Sequence, residues 1–441
     1  MPDLIIASSL VPLLALFSDC FTAPSFATFC HVMNGWILCL GRHTVTGVLQ
    51  ASGAIGRKHH TSFHRFFRSA AWAVEDLGLR LLKLVLQLLP EKVPVLVALD
   101  DTLGRHTGKR IRAASMHHDP LLSTRNKPVF HWGHLWVVLA VIIQVPAWKK
   151  SFALPVLVRL YRPEKLCEKE KRPFFKRTEL AAQMLWVLAA ALPQRQITVV
   201  ADAAFVNASV FKLLPNNMQF IGRSRLDAAL YARPKRQRLG RPRVKGRRLP
   251  SPGDRANNAT GWWRLEAFVY GKNVTLQVKV FEALWYIVAG GRPMRFLLVR
   301  GWPGHDYDDV FVCTDLTKDA KDIVSEFCQR WNLEFTFHEV KGRLGFEEPQ
   351  NRTERAVERT APMALWAFTL TVVWYITVGK DTPGARVAIL PWYRKSVPAF
   401  SDMLAALRRE TWRARLFDPL HFKRGTQKSV ASLLQAVAYA A

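Results

Sequence analysis

Three acids in this sequence stand where a mixed α/β fold would place oxygen ligands for a divalent cation: Asp101, Asp202 and Glu334. Asp101 closes the apolar run VPVLVALDDT, and Asp202 closes QITVVADAAF. Both stretches read as buried strands that end in acid. Glu334 lies in KDIVSEFCQRWNLEFTFHEVK, which reads as one long helix. Within it Phe327, Arg330, Glu334 and Lys341 are separated by three, four and seven positions. At roughly 100° per residue they fall within an arc of about 60°, so a carboxylate and two cations share one face. Arg330 with Glu334 alone would be an ordinary i,i+4 pair. One helical acid cannot hold a catalytic magnesium, but with acids from two strand ends it completes an oxygen cage for two ions about 4 Å apart.

The elements that must gather these acids follow a definite order. Residues 1–90 read as helical, and GRHTVTGVLQASGAIGRKHHTSFHRFFRSAAW has the rhythm of helix, glycine-containing turn, helix. Arg57 and Lys58, with Arg65 and Arg68, could line a nucleic-acid groove while Phe63, Phe66, Phe67 and Trp72 anchor the core; a plain helical bundle is the competing reading. Residues 91–215 alternate strand-like runs near 134–143 and 152–160 with the helical stretch KRTELAAQMLWVLAAAL, as an α/β core would. Residues 216–305 read as a basic loop followed by a β-rich insertion. Residues 306–380 return to the core through the strand DDVFVCTDL and the acid-bearing helix, and residues 381–441 read as a helical C-terminal region. No internal repeat is present.

A formal net charge of +29 over 441 residues calls for a polyanionic partner, because phosphate neutralisation by Lys and Arg releases condensed counterions. Nucleic acid is the first candidate; a basic membrane-surface protein or a ribosomal component competes. Between Arg223 and Arg248 eleven Lys or Arg face one acid, Asp227. Arg241, Arg243, Lys245, Arg247 and Arg248 form its densest part and read as a DNA track. The six cysteines contain no CxxC pair and sit among apolar residues, which fits a reducing cytosol. The apolar start has an acid at Asp3 and no basic n-region, so it reads as a buried helix and not a signal peptide. The uncharged run from Thr360 to Gly379 is long enough to cross a bilayer, but as a single segment with several Thr and Trp it reads as a core helix. His117, His118, His131 and His134 lack the Cys or acid spacing of a tetrahedral metal site and read as loop or core histidines.

In these motifs the chain resembles the DDE transposases of bacterial insertion sequences, most closely the insertion sequence four and insertion sequence 701 groups. Their signature of Tyr, two residues, Arg, three residues, Glu, six residues, Lys is reproduced by FCQRWNLEFTFHEVK, with Phe327 in the Tyr place. Asp101 followed by Thr102 matches the first acid of the family, with Asp100 as its rival; Asp202 matches the second, although Ala203 stands where an Arg is usual. LGFEEPQNRTERAVERTAPMALWAF is similar to the downstream helices, and the resemblance covers most of residues 30–380. It implies an RNase H-like catalytic core with a β-strand insertion, and two Mg²⁺ or Mn²⁺ ions on Asp101, Asp202 and Glu334. It also implies double-stranded DNA as partner, both transposon ends and target, and a homodimer assembled on DNA. Arg330 and Lys341 would contact transposon-end phosphates, and Trp262, Trp263 or Trp285 would stack on a flipped base or else pack in the core. In-line hydrolysis of a phosphodiester would be followed by attack of the freed 3′ hydroxyl on target DNA. The location implied is the bacterial cytoplasm, at the nucleoid, with no membrane. A catalytically inactive DNA-binding regulator of the same descent is the alternative.

Overall fold

A computed structural model describes residues 6–120, 122–124, 126–235, 242–304, 306–382, 395, 397–416 and, near the end, 430, 433, 434, 437 and 438. The chain begins with helices α1 (Val11–Ala15), α2 (Ala23–Leu38), α3 (Val45–Ser52), α4 (His60–Arg68) and α5 (Val74–Leu86). In α4, Phe63, Phe66 and Phe67 recur at helical spacing and are buried, while Arg65 and Arg68 lie on the opposite side. Thr44 caps α3 by accepting the Gly47 N–H, and Gly53, at φ +72°, ends it in the left-handed region that glycine tolerates. These helices share one hydrophobic core with the rest of the chain.

The sheet that carries the acids starts with β1 (Val95–Arg105), β2 (Ser115–His118), β3 (Phe130–Val145) and β4 (Lys150–Tyr161). After α6 (Glu164–Lys169) and α7 (Arg177–Ala191) come β5 (Ile197–Ala201), α8 (Ala208–Phe211) and β6 (Met218–Arg223). Strand β1 pairs antiparallel with β3 on one side and parallel with β5 on the other, and β5 pairs parallel with β6. In the apolar run VLVAL all but the half-buried Leu96 are buried, because both faces of β1 are covered, as a near-continuous hydrophobic strand requires. Next follow α9 (Pro252–Asn257), β7 (Trp263–Val269), β8 (Lys272–Leu284), α10 (Tyr286–Ala289), β9 (Pro293–Arg300) and β10 (Asp309–Cys313). The β-rich stretch is continuous with the core sheet: β10 joins β6 to β9, giving the order β2-β3-β1-β5-β6-β10-β9-β8-β7, with β4 also paired to β3.

The segment expected as one long helix is two, α11 (Ala320–Cys328) and α12 (Trp331–Arg343). At the junction the Arg330 and Leu333 N–H groups donate three residues back, to Phe327 and Arg330 carbonyls, a tighter winding that re-aims the chain. Phe327 therefore ends one helix and faces the interior, against Phe311 and Trp302, while Arg330 and Glu334 begin the next. α13 (Glu354–Thr377) is the one described helix long and apolar enough to span a bilayer, and it is almost wholly buried inside the protein. Its Thr369 hydroxyl donates to the Pro155 carbonyl of β4, and buried Arg359 donates to carbonyls of Phe66, Phe67, Ala70 and Trp72, tying the first helices to the last. α14 (Phe400–Leu416) packs on α13.

Candidate active site

Parallel pairing of β1 with β5 ends at the partners Leu99 and Ala201, so Asp202 at the end of β5 stands beside Asp100 and Asp101 on an adjacent strand about 4.8 Å away; β1 does not close at Asp101 as expected but runs on to Arg105, because β3 still pairs with it. Beyond Ala201 the chain leaves the sheet: the Phe205 N–H donates to the Asp202 carbonyl at 3.0 Å and starts a short 3₁₀ turn. β1 itself continues beside β3 without a bulge, with Asp100 opposite Val138 and Asp101 opposite Val137. Consecutive residues of such a strand point to opposite faces.

Each aspartate of β1 accordingly meets a different arginine. Arg330 Nη1 lies 2.6 Å from Asp100 Oδ2 and 2.8 Å from Glu334 Oε1, so one guanidinium nitrogen is shared by two carboxylates. Arg177 Nη1, from the first residue of α7, lies 2.6 Å from Asp101 Oδ2. Burial pushes the Asp100 carboxyl up to about 7; Arg330 opposes that rise, and the Asp101 and Glu334 charges add to it. Burial also raises Asp101, against the pull of Arg177, and the nearby Asp202 charge raises it further. Burial works against charge on Arg330, yet Asp100, Glu334 and Asp202 together hold its pKa above the ordinary value. Arg330 thus feels the charges of Asp100, Glu334 and Asp202, while Asp101 feels those of Arg177 and Asp202.

Lys341 turns toward the same strand, donating to the Leu103 carbonyl at 2.8 Å with Glu347 at 3.8 Å, and burial lowers its pKa. Phe327 packs its ring 4.6 Å from that of Phe311, centroid to centroid, in a buried setting where a phenol would need a hydrogen-bond partner. Arg177 is not among the site residues that the sequence predicts; its only signal is its place in KRTEL, at the start of the helical stretch that follows the strands.

The expected DNA contacts are distributed along the surface. Arg57 is exposed, but Lys58 donates to Thr28 Oγ1 at 2.7 Å and to the Pro24 carbonyl, anchoring its loop to α2. Arg243, Arg247 and Arg248 are exposed; Lys245 sits over the rings of Tyr231 and Tyr286, at 4.1 and 5.2 Å from their centroids. Arg241 lies outside the described residues. Trp285 is buried, Trp262 lies beneath Lys279 and Arg300, and Trp263 is half exposed. The histidines hold local contacts: His106 to His134 at 2.9 Å, His117 to the Ser115 hydroxyl at 2.8 Å, and His131 to Asp119 at 3.0 Å.

Among the described residues no three His, Cys, Asp or Glu side chains stand close enough to hold a metal ion as they are. The donor set beside the end of β5 nonetheless suits one. Its ligands are all carboxylate oxygens, the choice of Mg²⁺ and Mn²⁺. Burial raises the pKa of both Asp100 and Asp101, and neighbouring carboxylates add to it, Asp101 and Glu334 for Asp100 and Asp202 for Asp101, a repulsion that a divalent cation would relieve. Arg177 and Arg330 now neutralise the oxygens that would ligate it.

Comparison with protein families gives two matches. The model described as DDE superfamily endonuclease matches residues 16–272, and the model described as transposase DDE domain matches residues 179–370. No curated protein matches the chain.

Proposed function

The chain belongs to the DDE superfamily endonucleases, and from that premise we propose that it is a DNA transposase that cuts at transposon ends and joins the freed 3′ ends to target DNA. The observation that supports this reading is the parallel β1–β5 pairing, which brings Asp100, Asp101 and Asp202 together where it ends, with Arg330 joining Glu334 to Asp100 beside them. The order β4-β3-β1-β5-β6, antiparallel to one side of β1 and parallel to the other, supports an RNase H-like core for this site.

In the proposed mechanism Asp101, Asp202 and Glu334 would hold two Mg²⁺ or Mn²⁺ ions. When bound, such ions lower the pKa of an attacking water or 3′ hydroxyl and neutralise the leaving oxygen. The protein's own residues do the rest. Arg330, which binds Asp100 and Glu334 through Nη1 and whose buried Nε has no partner among the described residues, would offer its other guanidinium donors to a phosphate of the transposon end. Lys341 supplies a second cation beside β1. Arg57 and Lys58 in the first helices, and Arg243, Lys245, Arg247 and Arg248 in the basic stretch, are assigned to phosphates further along the duplex, with Arg241 in the same stretch. The net charge of +29 supports so extended a contact. A homodimer on DNA, pairing two ends of a bacterial insertion sequence in the cytoplasm, completes the proposal.

One observation favours a second reading, a DNA-binding regulator without catalysis: Asp101 and Glu334 are each held by an arginine, and the acids form no ready cage among the described residues. Incubating the purified chain and Mg²⁺ with the inverted repeats that flank its coding region separates the two. Nicking by the parent chain and none by Asp202→Ala or Glu334→Ala, with DNA binding retained, supports the transposase. Binding without nicking by the parent chain supports the regulator and overturns the proposal.

A further inference from the structure

Asp101 looks away from Arg330, and the space it faces is a cavity of about 260 Å³ between the middle of β1, the turn after β5 and the start of α7. Tyr161, Lys176, Arg177, Phe205 and Asn207 line it together with Asp101. Lys176 and Arg177 are exposed at its mouth; Glu179 accepts from the Lys176 backbone N–H at 2.8 Å, but among the described residues no carboxylate forms an ion pair with the Lys176 ammonium. Asn207 spends its Oδ1 on the Ser209 N–H at 3.0 Å, which leaves its amide nitrogen as the remaining donor. Two cations, a phenol and an amide thus surround a single acid, and that acid belongs to the candidate metal site.

We infer that this cavity binds a DNA backbone phosphate on the side of the sheet opposite Arg330, with Lys176 and Arg177 as its cations, and that the Asp101–Arg177 pair is a placeholder for the state without metal. The volume suits the ligand: a phosphodiester group is the size of a few water molecules of about 30 Å³ each. Charge supplies the direction of exchange. Without divalent ions Asp101 is a buried carboxylate beside Asp202, and Arg177 is its nearest compensation. Once Asp101 ligates an ion the carboxylate no longer needs the guanidinium, whose fork then fits two phosphate oxygens. Consecutive aspartates on one strand place a cation on each face, so a strand of DNA crossing the middle of β1 would be gripped on both sides of the bond to be cut.

The inference rests on the transposase reading of the site, but its test needs no catalysis. Binding of a duplex DNA fragment is measured in EDTA over a series of salt concentrations. Asp101→Asn releases Arg177, and the expected result is severalfold tighter binding with a log Kd against log salt slope steeper by about 0.9, one phosphate's worth. Asp101→Asn/Arg177→Gln is expected to return both quantities to the parent values, whereas Asp101→Asn/Arg177→Lys keeps the gain and shows that the site still folds. Lys176→Gln is expected to flatten the parent slope by about 0.9. A gain that survives in Asp101→Asn/Arg177→Gln, or no change in Asp101→Asn, overturns the inference. Loss of the transposase reading would instead appear as DNA cleavage that persists in Asp202→Ala.

Discussion

Asp100 and Asp101 are neighbours on an unbroken strand, yet their carboxylates serve opposite faces of the sheet, each 2.6 Å from a different arginine. Their roles should separate under mutation. Asp101→Asn removes a proposed ligand of the ions and is expected to lower cleavage by about 10³-fold or more. Asp100→Asn loosens Arg330 and is expected to cost about 10- to 100-fold, comparable with losing one positioned electrostatic contact. Single-turnover cleavage rates check this, and a larger loss in Asp100→Asn would make Asp100 the first acid of the site.

The elevated Asp100 pKa also predicts a pH dependence of folding. Its ordinary value of 3.8 rises to about 7 in the folded chain, chiefly by burial. Between those values the folded state binds more protons than the unfolded one, so stability falls as pH rises through that window and levels off above about 7. In metal-free protein Asp100→Asn should flatten this decline. At pH 8 it should gain stability, with an upper bound of about 4 kcal/mol for the full shift. Urea unfolding of both proteins at pH 5 and pH 8 checks it, and parallel pH profiles would contradict it.

Salt dependence tests the basic stretch. Replacing exposed Arg243, Arg247 and Arg248 together by Gln should reduce the slope of log Kd against log salt by about 0.9 for each side chain that touches a phosphate. The reduction should be the same for any duplex sequence, because phosphate contacts carry no base information. An unchanged slope would leave those arginines as solvated surface.

Arg359 is a structural prediction. Its buried guanidinium satisfies carbonyls of Phe66, Phe67, Ala70 and Trp72 and stacks on the Trp72 ring at 4.3 Å. Arg359→Ala leaves those carbonyls unpaired and should cost about 2–4 kcal/mol in urea unfolding. A cost below about 1 kcal/mol would mean that the first helices are held by apolar packing alone.

The strands that carry Asp101 and precede Asp202 were legible because a buried parallel strand writes itself as an apolar run; the end of β1 was not, since the acids mark only where pairing with β5 stops and β3 carries the strand on to Arg105. The Arg330–Glu334 pair was legible from its i,i+4 spacing. Two further features were not. The break between α11 and α12 carries no Pro or Gly; it arises because Phe327 is drawn into the pocket of Phe311 and Trp302, a tertiary effect absent from periodicity. Nor does spacing reveal that Arg177, far from Asp101 in sequence, meets it across the sheet. The β-rich insertion was recognised as strands, but its continuity with the core sheet through β10 depends on pairing partners that composition does not encode.

The gathering of Asp101, Asp202 and Glu334 around shared metal ions is tested most directly by growing crystals of the chain with DNA and Mn²⁺ and collecting anomalous diffraction at the manganese edge. Two anomalous peaks about 4 Å apart, contacted by carboxylate oxygens of all three residues, with Arg177 moved off Asp101, is the predicted result. Manganese bound elsewhere, or ligated while Glu334 remains on Arg330, would contradict the account.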